Sequence, residues 1–192
     1  MFCRLFLPAL AIVLSTCISQ PTLADVKLPA VFSDHMVLQR GQQVPLWGTA
    51  SAGEAVTVSI DGQTQTSKAD DDGKWSIKLK PLKAGGPHIL SVRGSNNIEI
   101  KDVLVGDVWI GSGQSNMAGG VRGYAKGDEV LAELAAGTYP QLRLCRGRGG
   151  SWQQSNPKTN AGFSALLFAF GQRLQKDLDV PVGLILGAVG GT

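Results

Sequence analysis

Val103-Leu-Val-Gly106-Asp-Val-Trp-Ile-Gly111-Ser-Gly113-Gln-Ser115-Asn-Met117 is where the sequence changes its grammar. A short apolar run ends in a glycine-rich turn that carries a serine, the pattern of a buried strand handing its C-terminal end to a loop. Further on, Asp128 to Ala136 has the signals of a helix, started by Asp128-Glu129 and stopped by Gly137. Gln141-Leu-Arg-Leu-Cys145 is a second strand, and a longer helix is predicted from Phe163 to Leu178, with Phe163, Leu166, Leu167, Phe170, Leu174 and Leu178 on one stripe. Pro181-Val-Gly-Leu-Ile-Leu186 is a third, buried strand, followed by Gly187-Ala-Val-Gly190-Gly191-Thr192. Strand, helix, strand, helix, strand predicts the start of a parallel, doubly wound α/β layer over residues 103–192.

Upstream, from Asp25 to Asp102, no helical period is visible. Ala55-Val-Thr-Val-Ser-Ile60 alternates at period two, and Asp61-Gly62 is a hairpin signal before the polar run Gln63 to Thr66. Lys74 to Lys80 places Trp75, Ile77 and Leu79 on one face, and His88 to Val92 and Ile98 to Ile100 follow after glycine-rich turns. Strands spaced this closely predict an antiparallel, all-β sandwich over residues 25–102. Asp70-Asp-Asp-Gly73 lacks the alternating ligands of a calcium loop and is expected to be a solvated hairpin tip. No Pro-, Ser- or Gly-rich linker marks the boundary near residue 103, so the two segments are expected to pack directly on one another.

The 192 residues are 43% apolar and 17% charged, which suits one ordinary domain or two small ones. Residues 1–24 combine Arg4, an apolar core from Leu5 to Ile18 and the small-x-small site Thr22-Leu-Ala24, the layout of a secretory signal peptide. That core is about 14 residues, short of the roughly 20 that cross a bilayer as a helix, so export to the periplasm or exterior is expected, with no stable membrane insertion after cleavage. A lipoprotein signal ending at Cys17 is a weaker variant, because Thr16 is bulky for that position. Cleavage leaves Cys145 as the one cysteine, alternating with Leu142 and Leu144 and expected to be a buried strand residue. The net charge of +3 is spread along the chain, and its densest basic cluster, Arg143 to Arg148, is too small a footprint for nucleic acid.

Ligands of an open parallel sheet bind outside the carboxyl ends of its strands, and both glycine-rich turns fall there. Ser115 in one turn and the amides of Gly190 and Gly191 in the other supply a nucleophile and oxyanion donors, two of the three parts of an acyl-transfer site. The third, a base, is not evident, because the only histidines are His35 and His88, whereas 17 of the 25 glycines lie from Gly106 to Gly191. With no partner cysteine or histidine at ligand spacing, each histidine is expected to be structural or at the surface, and no metal is called for. Nucleotide patterns fit poorly: from Gly111 the third glycine of a dinucleotide fingerprint is Asn116, and Gly191-Thr192 lacks the lysine of a phosphate loop.

Gly113-Gln-Ser-Asn-Met117 after a short apolar strand resembles the nucleophile block of the sialate O-acetylesterase family, a branch of the SGNH hydrolases. Leu28-Pro-Ala-Val-Phe-Ser-Asp-His-Met-Val-Leu-Gln-Arg40 resembles that family's opening segment and Val44-Pro-Leu-Trp-Gly48 its next strand. Gly106 to Met117 resembles the start of its catalytic domain, and Phe163-Ser-Ala165, Pro181 to Ile185 and Gly190-Gly-Thr192 its later helix and second block. The resemblance implies Ser115 as nucleophile, with its own amide and the Gly190-Gly191 turn as oxyanion donors. The implied reaction is removal of an O-acetyl group from sialic acid or a related glycan through an acetyl-serine, with no metal or organic cofactor.

In that family a further polar block and an Asp-x-x-His block follow, the histidine acting as general base; neither occurs before Thr192. The expectation is therefore an incomplete α/β domain, weakly active or inactive alone. The alternative is a non-catalytic glycan-binding or packing module using Trp47, Trp75, Trp109 and Trp152, although Trp75 and Trp109 sit at positions that favour the core.

Overall fold

The computed structural model describes residues 25–147 and 149–191. The expected signal peptide, with the Cys17 variant, lies outside the described residues, as do Arg148 and Thr192.

The chain runs through β1 (Val37–Gln39), β2 (Val44–Thr49), β3 (Ala55–Ile60), β4 (Gln63–Lys68), β5 (Lys74–Leu79), β6 (Gly85–Arg93) and β7 (Asn97–Gly111). Then come α1 (Ser115–Ala118), α2 (Val121–Tyr124), α3 (Glu129–Ala135), β8 (Tyr139–Arg146), β9 (Trp152–Ser155), α4 (Pro157–Ala161), α5 (Ala165–Leu178) and β10 (Val182–Leu186). One mixed sheet has the order β4-β3-β6-β7-β10-β8-β9, with β1 also on β7, and β2 and β5 form a separate pair.

The upstream strands follow the alternation of their residues. Trp75, Ile77 and Leu79 of β5 and Val44 and Leu46 of β2 share one core with Val56, Val58 and Ile60 of β3 and Leu90 and Val92 of β6. The β3–β4 hairpin turns on Asp61 and Gly62, at φ 47° and 72°, the left-handed pair that matches the twist of the flanking strands. The Asp70 to Gly73 turn is exposed at its aspartates, but it joins β4 to β5 in the other sheet and so is a crossing and not a hairpin tip. Asp70 Oδ1 accepts from Lys74 N at 2.8 Å, and the buried Ala69 and Gly73 on either side bend the chain across.

The separate strands expected at Ile98 to Ile100 and Val103 to Ile110 are one strand. Residues 97–105 of β7 pair antiparallel with β6, and 107–111 pair parallel with β10, so the chain passes from one half of the sheet to the other with no loop between. Lys101-Asp102 broke the apolar pattern, and Asp102 lies at φ 55° within the strand. Its carboxylate accepts from Arg143 Nη1 and Nη2 at 2.5 and 3.1 Å, from Gln154 Nε2 at 2.9 Å and from His35 Nδ1 at 2.6 Å. Arg143 is 3% exposed, and its Nε donates to Pro140 O at 3.0 Å, so each of its three guanidinium nitrogens has a partner. Its neighbour in the basic cluster, Arg146, donates to Gly162 O.

The parallel half departs from the expected double winding. Leu142, Leu144, Val182 and Leu184 lie under α5 with Phe163, Leu167 and Phe168, whereas Cys145 and Trp152, with Val108 and Ile185 packed beside them, belong to the upstream core. The described helices thus cover one face, and Val37 and Trp152 press on the other at Gly183. The outer edge of β8 carries β9 in antiparallel pairing. On the β1 edge of β7, Arg40 N donates to Gly106 O and Gln39 Oε1 accepts from Val108 N.

The stripe expected on the long helix is also rotated. Ser164 caps α5 through Leu167 N, and the buried residues are Ala165, Leu167, Phe168 and Gly171, whereas Leu166, Phe170 and Leu178 are exposed. Gly171 sets this rotation: a Cβ there would run into the Leu184 side chain, so the helix settles on the sheet at its glycine. Asp128 caps α3 through Leu131 N at 2.9 Å. Helix α4 was not anticipated, although Asn156-Pro157-x-Thr159 forms a capping box with proline in the first turn.

Burial alone would raise the Asp102 carboxyl, but the Arg143, His35 and Gln154 hydrogen bonds outweigh it and hold the group well below the usual carboxylate range. A depressed acid contributes stability that is complete above the unfolded value near 3.9 and is lost as pH falls toward the folded value. The midpoint of thermal unfolding should therefore drop as pH falls below about 4, and drop less steeply in Asp102→Asn. Asp102→Ala, which strands the buried Arg143 charge, should cost about 3–5 kcal/mol in urea unfolding at pH 7.

Candidate active site

Leu186 stands opposite Gly111 in the β10–β7 register, so both strands end at the same level. Gly187 N donates to Gly111 O at 2.9 Å and Val189 N to Gly113 O at 3.2 Å. The two glycine turns, far apart in sequence, are thus joined to each other by their backbones. Gly113 (φ 130°) and Gly191 (φ 81°) occupy conformations that side chains rarely adopt, which explains glycine at those two points.

Ser115 is the first residue of α1 and is exposed. The short helix is fastened from behind: Ala165 N donates to Gly119 O at 2.8 Å, Val121 N to Phe163 O at 2.9 Å, and Ser164 Oγ lies 3.8 Å from Met117 Sδ. A Cβ on Gly111 would come within 2.7 Å of Leu167 Cδ2 and 3.0 Å of Met117 Sδ, so glycine lets α1 and α5 close over the strand end. Gly190 and Gly191 are exposed in the neighbouring turn. A serine hydroxyl and unobstructed amides at one end of a parallel sheet can act on an electrophilic carbonyl.

Neither histidine reaches this end. His35 pairs with Asp102, nine positions before Gly111 on β7, and a strand rise of about 3.3 Å per residue puts it roughly 30 Å from the serine turn. His88 lies 3.7 Å from Asp61 at the β3–β4 turn. His35 is hydrogen-bonded to a carboxylate and His88 lies near one, both in the upstream half. Among the described residues, no group of three or more His, Cys, Asp or Glu is placed to hold a metal ion. No helix among them is long and apolar enough to cross a membrane.

Cys145 is buried in β8, with its Sγ 3.3 Å from Gly150 O, and burial pushes its thiol up to about 11. Trp75 and Trp152 are core residues, but Trp47 and Trp109 are each 45% exposed. Trp109 does not enter the core because it meets Phe170, edge to face at 5.2 Å, on the outer flank of α5. Trp47 meets Phe32 in the same way at 4.7 Å. Asn160, not singled out in the sequence, is fully buried: it accepts from Ser155 Oγ at 2.7 Å and donates to Ala135 O and Gly137 O, tying the end of α3 to β9.

No protein-family model matches the chain. The sialate O-acetylesterases of Rattus norvegicus and Homo sapiens are each 30% identical to it, over 86% of its length and 36% and 37% of theirs. The chain therefore spans little more than a third of these curated relatives. The crystal structure of a carbohydrate acetylesterase from Xanthomonas citri superimposes with a TM-score of 0.81 at 34% identity, covering 88% of this chain and 41% of that one.

With its thiol pushed up to about 11, Cys145 stays protonated and enclosed at pH 8. Peptide mapping after iodoacetamide treatment should find the Cys145 peptide unmodified in the native protein and fully alkylated in urea.

Proposed function

The chain belongs to the sialate O-acetylesterase family, and from that premise we propose that it carries the nucleophile of a secreted carbohydrate O-acetylesterase. In this reading residues 25–102 form the supporting sandwich domain and 103–192 the N-terminal part of the catalytic α/β domain. The apolar N-terminus speaks for export to the periplasm or exterior. The substrate is an acetylated sugar or glycan.

Ser115 Oγ attacks the acetyl carbonyl. The developing oxyanion accepts from the Ser115 amide and from the Gly190–Gly191 turn, the sugar hydroxyl departs, and water releases acetate from the acetyl-serine. The chemistry calls for neither a metal nor an organic cofactor. The observation that carries this reading is the backbone join between the two turns, Gly187 N to Gly111 O and Val189 N to Gly113 O, which gathers both parts at one sheet end.

Attack requires a group to take the Ser115 proton, and such assistance is worth about two to four powers of ten in rate. His35 pairs with Asp102 in the middle of β7, and His88, on β6, lies 3.7 Å from Asp61 of the β3–β4 turn, so neither histidine of the 192 residues is within reach of Ser115. The purified chain is accordingly expected to hydrolyse p-nitrophenyl acetate slowly. Ser115→Ala should abolish that turnover and the acetyl mass on the Ser115 peptide, while replacement of both histidines by asparagine should leave the rate within twofold. Turnover that survives Ser115→Ala removes the serine from its role, and turnover that collapses with the histidines gives the base to one of them.

A further inference from the structure

A cavity of about 460 Å³ opens beside α1, walled by α2, α3 and α5. Asn116, the residue after Ser115, forms part of its lining, together with Tyr124, Asp128, Val130, Leu131 and Leu166. Ser115 is not itself in the lining, but its chain neighbour is, so the cavity begins one residue from the serine.

Size separates the two halves of an ester held at Ser115. An acetyl group is a methyl on a carbonyl, and pockets of a few hundred Å³ hold whole small molecules. The cavity is out of scale for the acyl group and fits the alcohol half.

The walls are chemically specific. Val130 and Leu166 are 68% and 57% exposed, leaving apolar surface in water beside the Tyr124 ring. The C–H face of a sugar ring can cover that surface, while the Asn116 amide, the Tyr124 hydroxyl and the Asp128 carboxylate offer donors and acceptors to its hydroxyls. Asp128 uses Oδ1 to cap α3, so its carboxylate is fixed in place at the cavity.

Charge then distinguishes among sugars. Among the described residues, Asp128 is the one acidic residue of the lining, and no lysine, arginine or histidine lines the cavity. Arg122 and Lys126, on the connection between α1 and α3, are exposed and outside the lining, and Glu129 and Glu133 add negative charge on the helix that Asp128 caps. A sugar carrying a carboxylate meets an acid here and no cation.

We propose that the cavity between α2, α3 and α5 seats the sugar of the ester attacked at Ser115, and that it selects neutral O-acetylated sugars over anionic sialates. The assignment rests on Ser115 as nucleophile. Binding can be measured apart from turnover in the Ser115→Ala chain, by ligand-observed NMR titration with a methyl 6-O-acetylglucoside and with the methyl glycoside of 9-O-acetyl-N-acetylneuraminic acid. The neutral sugar should bind at least tenfold tighter than the sialate. Leu166→Arg and Val130→Glu, both at exposed positions that leave the core intact, should each weaken it at least tenfold. Asp128→Asn, which preserves a capping side chain, should narrow the gap between the two sugars. Sialate binding as tight as the neutral sugar, no saturable binding of either, or neutral binding indifferent to Leu166→Arg and Val130→Glu overturns the proposal. Acetylation of Ser115 by p-nitrophenyl acetate does not need the cavity. A chain that is acetylated but shows any of those three results loses only the sugar site, and one that binds sugar there but is never acetylated loses only the nucleophile.

Discussion

Strand β7 is shared between two different sets of partners. Its first nine residues complete an antiparallel half-sheet with β6, and its last five lie parallel to β10, so one extended backbone sets the position of the serine turn relative to everything upstream. At about 3.3 Å per residue its fifteen residues span roughly 50 Å. The glycine turn at Gly111 is placed by this strand and by its pairing with Leu186, and Ser115 follows within one turn of chain.

Where β7 changes partners, polar groups do the fastening. Asp102 gathers Arg143 from β8, Gln154 from β9 and His35 from the segment before β1, closing four stretches of chain on one carboxylate. Arg40 and Asp107 pair through two hydrogen bonds of 2.9 Å on the other edge, just past the end of β1. Asn160 performs a similar task under the helices. Arg143 and Asn160 are the buried members of these clusters, and removing a partner of either leaves a buried polar group unsatisfied.

Much of this was legible in the residues. The alternation of Trp75, Ile77 and Leu79, the Asp61-Gly62 hairpin, the capped helix after Asp128 and the buried strand at Val182 to Leu186 each depend on neighbours within a few positions, and each is present in the structure. The continuity of β7 was hidden because Lys101-Asp102 looks like a break until Arg143, 41 positions later, arrives to neutralise it. The rotation of α5 was hidden because Leu166 and Phe170 are as apolar as the residues that are buried, and only contact of Gly171 with Leu184 distinguishes them. Trp109 meets the exposed Phe170 of that helix and stays out of the core.

By itself the sequence determined the strands at Ala55, Lys74, Gln141 and Val182, the helices after Asp128 and Ser164, the presence of a serine and of glycine-rich turns, and the absence of any histidine after His88. Those are properties of composition and short-range spacing. Only the tertiary structure decided that β10 lies between β7 and β8, which brings the Gly187–Gly191 turn against the Ser115 turn, that the described helices occupy one face of the sheet, and that a cavity bordered by Asn116 and Asp128 opens beside the serine. Strand order and helix rotation follow from which side chains can approach closest across the sheet, at Gly106 on Pro181, Gly183 on Val37 and Gly171 on Leu184, and such contacts exist only once distant parts of the chain meet.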